Sequence, residues 1–226
     1  MQLNFSFQII IVGTGAYVCG NKDQEYGTIL PAILTYAKKF NQRVKITFAC
    51  NSEKGKNNAE KKSFILSKLI DLGELLQVEY LICDGDPETF FNKFKDNESK
   101  LLSIVSIPDQ LHFKWISAML HRNIMTMSVK PLTLDFSEAK DLSKLSKQKK
   151  VPLFVEFHKR YDRQLRYAKD QFKAGKLGIP LYSYTEYTQR KEIPLKSFRS
   201  WCDKTNIFSY LGVHYIDALF FVTNAK

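Results

Sequence analysis

The stretch IIIVGTGAYVCGNKDQEYGTILPAIL, residues 9–34, decides the fold. Its first four residues are β-branched, and such side chains fit a pleated strand. Gly13, Thr14 and Gly15 follow at once, so the chain leaves the strand through a tight turn almost free of side chains. In the dinucleotide-binding turn G-x-G-x-x-G, the first glycine permits the bend and the second lets a pyrophosphate approach the backbone. The third lets helix pack closely on strand. Gly13 and Gly15 meet the first two needs, and Val18 stands where the third glycine belongs. Residues 19–26 are polar and lack helical spacing, whereas Gly27 directly precedes an apolar run of helical period. This reads as a lengthened turn with the helix starting at Gly27 or Thr28, the third glycine being displaced rather than absent. The loop 19–26 either folds over a cofactor or is a plain surface insertion.

Outward from this turn, short apolar runs alternate with helical patterns. Residues 7–12, 44–50, 78–83, 102–107, 124–128 and 151–157 are rich in Val, Ile and Phe and too short for helices. Between them, 28–40, 58–71, 88–94, 111–122 and 137–148 have helical apolar spacing. Strand and helix in alternation give a parallel sheet, and continuous apolar strands mean that both of its faces are covered. The expected architecture is a doubly wound α/β Rossmann domain over residues 1–157. After Phe157 the texture changes: a basic helix over 161–174, the turn GKLG, a strand over 181–189 and a last helix over 211–222. Residues 158–226 therefore read as part of a second, α+β domain, in an open-sheet style.

The 226 residues are 44% hydrophobic and 25% charged, and no low-complexity tract argues for disorder. A formal net charge of +11 raises the question of a polyanionic partner. The lysines, however, alternate with Glu, Asn, Ser and Gln on what read as solvated helix faces, without the aromatic interleaving of a nucleic-acid surface. Neither nucleic acid nor membrane is expected as a partner. Cysteines at 19, 50, 83 and 202 form no C-x-x-C pair, so no metal site and no disulfide framework is expected. Reduced thiols suit a cytoplasmic protein. No basic segment precedes the short apolar stretch at the amino terminus, which is neither a signal peptide nor a membrane span.

The end of the second strand bears on the cofactor. A site that prefers NAD commonly has a carboxylate there for the ribose 2′-hydroxyl. This strand ends Ala49-Cys50-Asn51-Ser52. With Ser52 and Lys54 able to meet a 2′-phosphate, NADP is favoured over NAD, and Gly13, Gly15, Ala16, Asn51, Ser52 and Lys54 are the candidate cofactor contacts. Glu53 lies next to them, and Lys54 also reads as an ordinary exposed lysine.

Three further stretches carry a family resemblance: SIVSIPDQLHFKWISAMLHRNIMTMSVKP at 103–131, VEFHKRYD at 155–162 followed by GKLG, and YLGVHYID at 210–217. In this order they resemble the glucose-fructose oxidoreductase, inositol dehydrogenase and MocA family of NAD(P)-dependent sugar dehydrogenases. The resemblance implies that Pro108, Asp109 and His112 lie near the nicotinamide ribose. It also implies that Lys130 matches the lysine of a Glu-Lys-Pro signature and that His214 matches the histidine of G-x-H-x-x-D. Oxidation of a secondary alcohol needs a group to take the hydroxyl proton, and a neutral histidine suits it. A lysine beside the same oxygen stabilises developing alkoxide. Lys130 and His214 are the candidate catalytic residues on this reading, with Lys130 also near the cofactor.

The chain departs from that pattern. Val129 replaces the glutamate of the signature, and Tyr210 stands where the family often has an aspartate. Tyr210 either donates a hydrogen bond to substrate or marks a protein without turnover. Tyr187, Arg190 and Lys191 line a sugar pocket or a half-exposed sheet face. Family members continue well past the G-x-H-x-x-D helix, so this chain looks like a fragment or a truncated product. The expected activity is hydride transfer between nicotinamide and a secondary hydroxyl or keto group of a sugar, sugar nucleotide or polyol, by a homo-oligomer in the full-length form. A nucleotide-binding protein without turnover is the alternative.

Overall fold

The computed structural model describes residues 7–225 apart from 21, 23, 96–99, 187, 189, 198, 200 and 201. Strand β1 (Phe7–Val12) opens the chain, followed by the single turn α1 (Ala16–Cys19), α2 (Ile29–Phe40), β2 (Val44–Cys50) and α3 (Glu53–Leu69). Next come β3 (Leu76–Ile82), α4 (Pro87–Lys93), β4 (Leu101–Val105), α5 (His112–His121), β5 (Met125–Val129), α6 (Phe136–Lys149) and β6 (Leu153–Glu156). The six strands form one sheet in the order β3-β2-β1-β4-β5-β6, and every pairing is parallel.

Why both faces of β1 are apolar is now evident. Ile9 and Ile11 pack with Leu30 and Leu34 of α2 and with Ala59 and Leu66 of α3. Ile10 and Val12 pack on the opposite face with Phe90, Trp115, Met119 and Leu142 of α4, α5 and α6. Burying each such side chain contributes about 1.5–3 kcal/mol, so the alternation of strand and helix is what removes both apolar faces of the sheet from water. The sheet order reverses between β1 and β4, and in doubly wound sheets the crevice at that point, outside the carboxyl ends of the strands, receives ligands.

Helix α3 starts at Glu53, five residues ahead of the apolar period that marks it in the sequence. The Ser52 hydroxyl accepts the Gly55 N–H at 3.2 Å, and that cap starts a helix whose polar first turns carry no apolar signal. Beyond β6 the chain makes a 3-10 turn (His158–Tyr161), α7 (Arg163–Lys173) and finally α8 (Val213–Thr223), which packs against α7. The strand expected over 181–189 does not form: residues 180–186 and 188 have no regular structure, and Leu181, Tyr182 and Tyr184 are exposed. A strand is held by its ladder partners, and among the described residues none lies beside this segment. Tyr187 and Gln189 lie outside the described residues, while Arg190 and Lys191 are exposed. No helix among the described residues is long and apolar enough to cross a membrane.

Candidate functional site

A cleft of about 920 Å³ opens at the carboxyl ends of the strands, near the upper end of the size range of ligand sites. Its floor is the turn after β1. Gly13 has φ +104°, and a Cβ there would stand 2.2 Å from the Ser106 carbonyl oxygen, so only glycine lets β1 and β4 close together at the switch point. A Cβ on Gly15 would meet nothing within 4 Å, which leaves the backbone open toward the cleft. Gly27, expected as the displaced third glycine, packs against the backbone of α1 and not against a strand. Gly27, with φ +70°, approaches the backbone of Val18 so closely that a Cβ would lie 2.6 Å from its carbonyl carbon. The Thr28 N–H then donates to the Tyr17 carbonyl at 2.8 Å, just before α2 begins.

The loop between these glycines is tied down from below. Lys62 of α3 is buried, and its ammonium donates to the carbonyls of Lys22 at 2.6 Å and Glu25 at 2.5 Å. The same ammonium lies 4.7 Å from the centre of the Tyr26 ring. Glu25 and Tyr26 thereby become part of the cleft lining.

Of the candidate cofactor contacts, Gly13, Gly15, Ala16, Asn51, Ser52, Pro108, Asp109 and Lys130 all line this cleft. Lys54 does not: it sits exposed on the first turn of α3. His112 is fully buried at the start of α5 and faces two carbonyls, Pro131 O at 2.7 Å from Nδ1 and Ile107 O at 3.0 Å from Nε2. It ties the end of β4 to the segment after β5 and does not reach the cleft.

The glycine floor, the open backbone at Gly15 and the position at the switch point fit an extended dinucleotide. When bound, its nicotinamide supplies a hydride donor or acceptor. Lys130 follows β5, and its ammonium donates to the Tyr210 carbonyl at 2.5 Å while lying 4.0 Å from the centre of the Tyr210 ring. Burial pulls its pKa down, against the charges of Asp109 and Glu156. Asp109, also buried, accepts the Thr205 hydroxyl at 3.0 Å, and burial raises its carboxyl pKa. His214, near the start of α8, is only 5% exposed. Burial and then the charges of Lys130, His158 and Lys159 pull its pKa down to about 4, so near neutral pH the ring is uncharged.

Among the lining residues that the sequence did not single out, Tyr17, Glu156 and His158 form a polar cluster. The Tyr17 hydroxyl donates to Glu156 Oε2 at 3.2 Å and lies 3.5 Å from His158 Nδ1. His158 Nδ1 is 3.6 Å from Glu156 Oε1, and its ring is 4.9 Å from that of His214, edge to face. Glu156 ends β6 and His158 opens the 3-10 turn that follows, so strand alternation does not link them; the available signal was their place at the carboxyl end of the last strand, where ligands bind in doubly wound sheets.

Residues 7–157 match the model of an oxidoreductase family described as having an NAD-binding Rossmann fold. An uncharacterised oxidoreductase of Schizosaccharomyces pombe is 29% identical over 120 residues, 51% of this chain and 32% of that protein. Among solved structures, the WlbA dehydrogenase of Thermus thermophilus, in complex with NAD and alpha-ketoglutarate, superposes with a TM-score of 0.63 at 15% identity, over 96% of this chain and 62% of its own. The scyllo-inositol dehydrogenase of Lactobacillus casei, with NAD(H) and scyllo-inositol, gives 0.62 at 18%, over 97% and 56%. At such identities the structures establish the fold alone, and the chain spans less than two thirds of the length of each of these three relatives. The family follows from the match over residues 7–157: the chain belongs to the Gfo/Idh/MocA oxidoreductases, whose amino-terminal part is an NAD-binding Rossmann domain.

Proposed function

We propose that this chain carries the cofactor half and the proton-handling residues of an NAD(P)-dependent oxidoreductase acting on a secondary hydroxyl or keto group of a sugar, sugar nucleotide or polyol. The observation that carries this reading is that Lys130 and His214, far apart in sequence, line the same cleft as the glycine turn, with the His214 ring uncharged near neutral pH. His214 takes the hydroxyl proton as the C–H bond gives up its hydride, and Lys130 stabilises the oxygen. Tyr210 holds that lysine in place through its carbonyl and ring. The relatives solved with scyllo-inositol and with a UDP-sugar acid support this substrate class.

On this reading residues 1–157 are the dinucleotide-binding domain and 158–226 the start of the substrate domain, in a cytoplasmic protein that assembles as a homo-oligomer in its full-length form. NADP is the preferred cofactor, because the strand end Asn51-Ser52 has no carboxylate to repel a 2′-phosphate. Calorimetric titration of the chain with NADP(H) and NAD(H) tests that preference: tighter NADP(H) binding is expected, and equal affinities would refute it. Turnover is tested by following the reduced nicotinamide with a panel of inositols, aldoses and UDP-sugars. His214→Ala should lower kcat by about 100- to 10,000-fold, the range for a positioned general base, with cofactor affinity kept.

A second reading, a dinucleotide-binding protein without turnover, has one observation in its favour. The Lys130 ammonium is already engaged by the Tyr210 carbonyl. Cofactor binding with no panel compound turned over would favour it.

A further inference from the structure

We infer that His158, oriented by Glu156 and Tyr17, is a proton shuttle that connects the enclosed His214 to bulk water. The inference rests on the proposed hydride chemistry for its purpose, but its geometry stands independently. His214 is 5% exposed, so a proton taken up there has little direct contact with solvent. The His158 side chain is 42% exposed, and the centre of its ring lies 4.9 Å from that of His214, edge to face. One histidine is thus enclosed and its neighbour reaches water.

The surroundings suit the relay. Glu156, whose side chain is 20% exposed, places Oε1 3.6 Å from His158 Nδ1, a distance at which a carboxylate stabilises an imidazolium as the proton passes. Its other oxygen accepts the Tyr17 hydroxyl at 3.2 Å, which fixes the rotamer of the carboxylate. Burial, followed by the charge and hydrogen bond of Glu156, pushes the Tyr17 pKa far above its ordinary value, so the phenol stays a donor. The other charged groups around the two rings are Lys130 after β5, Lys159 beside His158, and Asp217, which pairs with Arg160. Lys130, His158 and Lys159 disfavour a lasting charge on His214 and Asp217 favours it, so a proton there is driven onward.

The balance in the oxidation direction is simple. The C–H bond of the alcohol breaks and its hydrogen passes with both bonding electrons to the oxidised nicotinamide, the O–H bond breaks, and a C=O bond forms. The hydroxyl proton goes to His214, then to His158, then to water or buffer. One proton is released per alcohol oxidised, and no further oxidant is needed.

The test uses the full chain with 15N-labelled histidine rings. In the native protein the His214 ring N–H should exchange rapidly with water, and His158→Gln should lose that fast exchange while leaving the amide spectrum of β1–β6 unchanged. Added imidazole should restore it. Unchanged His214 exchange in His158→Gln overturns the inference, as does a loss that imidazole fails to restore, since that marks a structural role. Where a panel substrate is turned over, His158→Gln should lower kcat about 100-fold in weak buffer, the low end for a positioned acid–base group, with the KM for cofactor unchanged and imidazole rescuing the rate. A kcat that does not fall overturns it too. If the exchange result holds but the native protein turns over no compound, the shuttle stands and the hydride-transfer reading fails.

Discussion

At the scale of single residues, His214 links the site to the stability of the fold. Its pKa is near 4 in the folded chain against an ordinary 6.5, because burial and then the charges of Lys130, His158 and Lys159 penalise the imidazolium. As pH falls from 6.5 toward 4 the unfolded chain takes up the proton first, so stability declines over that window. Each tenfold difference in proton affinity between the two states is worth about 1.4 kcal/mol, so the decline due to this one ring comes to about 3 kcal/mol. His214→Phe should remove it, which urea unfolding at stepped pH would register as a flatter acid limb. Asp109 acts with the opposite sign: burial raises its carboxyl pKa, so its protonated form favours folding. The difference between native and variant curves is therefore the quantity to read, and identical curves would show that His214 titrates as it does in the unfolded chain.

At the scale of elements, Gly27 closes the loop after α1 onto the backbone of Val18. Gly27→Ala should destabilise the chain twice over, through φ +70° and through the 2.6 Å approach of a Cβ to the Val18 carbonyl carbon, with backbone strain alone costing about 1–3 kcal/mol. Gly73→Ala is the control, since φ there is +53° but a Cβ would meet nothing within 4 Å. Thermal melts should show the larger loss at Gly27, and equal losses would mean that the Val18 contact yields freely. Apart from the single turn α1 (Ala16–Cys19), which was read as part of a lengthened turn, the strands and helices as far as β6 were legible in the sequence because each buries an apolar face of characteristic period. The early start of α3 was hidden, since its first turns are polar and the hydroxyl of Ser52 starts the helix. The expected strand at 181–189 misled because alternating tyrosine and threonine states a preference and supplies no partner strand. Lys130 and His214 were legible only through the family resemblance. Their neighbours Glu156 and His158 lie within VEFHKRYD but stayed hidden, because neither belongs to a spacing with a known role. His112 misled in the other direction: the family resemblance placed it near the nicotinamide ribose, whereas it is buried against two backbone carbonyls, of Pro131 and Ile107.

At the scale of the whole molecule, His214 is brought to the cleft by α8, which packs against α7. Among the described residues the ion pair of Arg160 with Asp217 helps anchor it: Nε donates at 2.9 Å to one carboxylate oxygen, and Nη2 at 2.5 Å to the other. Asp217 is buried, so Asp217→Asn should cost roughly 1.5–3 kcal/mol, the range for hydrogen bonds to charged groups. Amide exchange should speed up across Val213–Thr223 before it does in β1–β6, and uniform acceleration would mean that helix and sheet open together. The other side of the cleft is built to a different rule. Gly20 and Gly27 bring the two ends of the intervening loop back together, a Cβ on Gly20 falling 2.2 Å from the Glu25 carbonyl oxygen, so the loop begins and ends at one place. The buried Lys62 ammonium donates to the carbonyls of Lys22 and Glu25 within it, so a change of length there that lost these carbonyls would strand a buried charge, while the register of β1 against its neighbours would stay untouched.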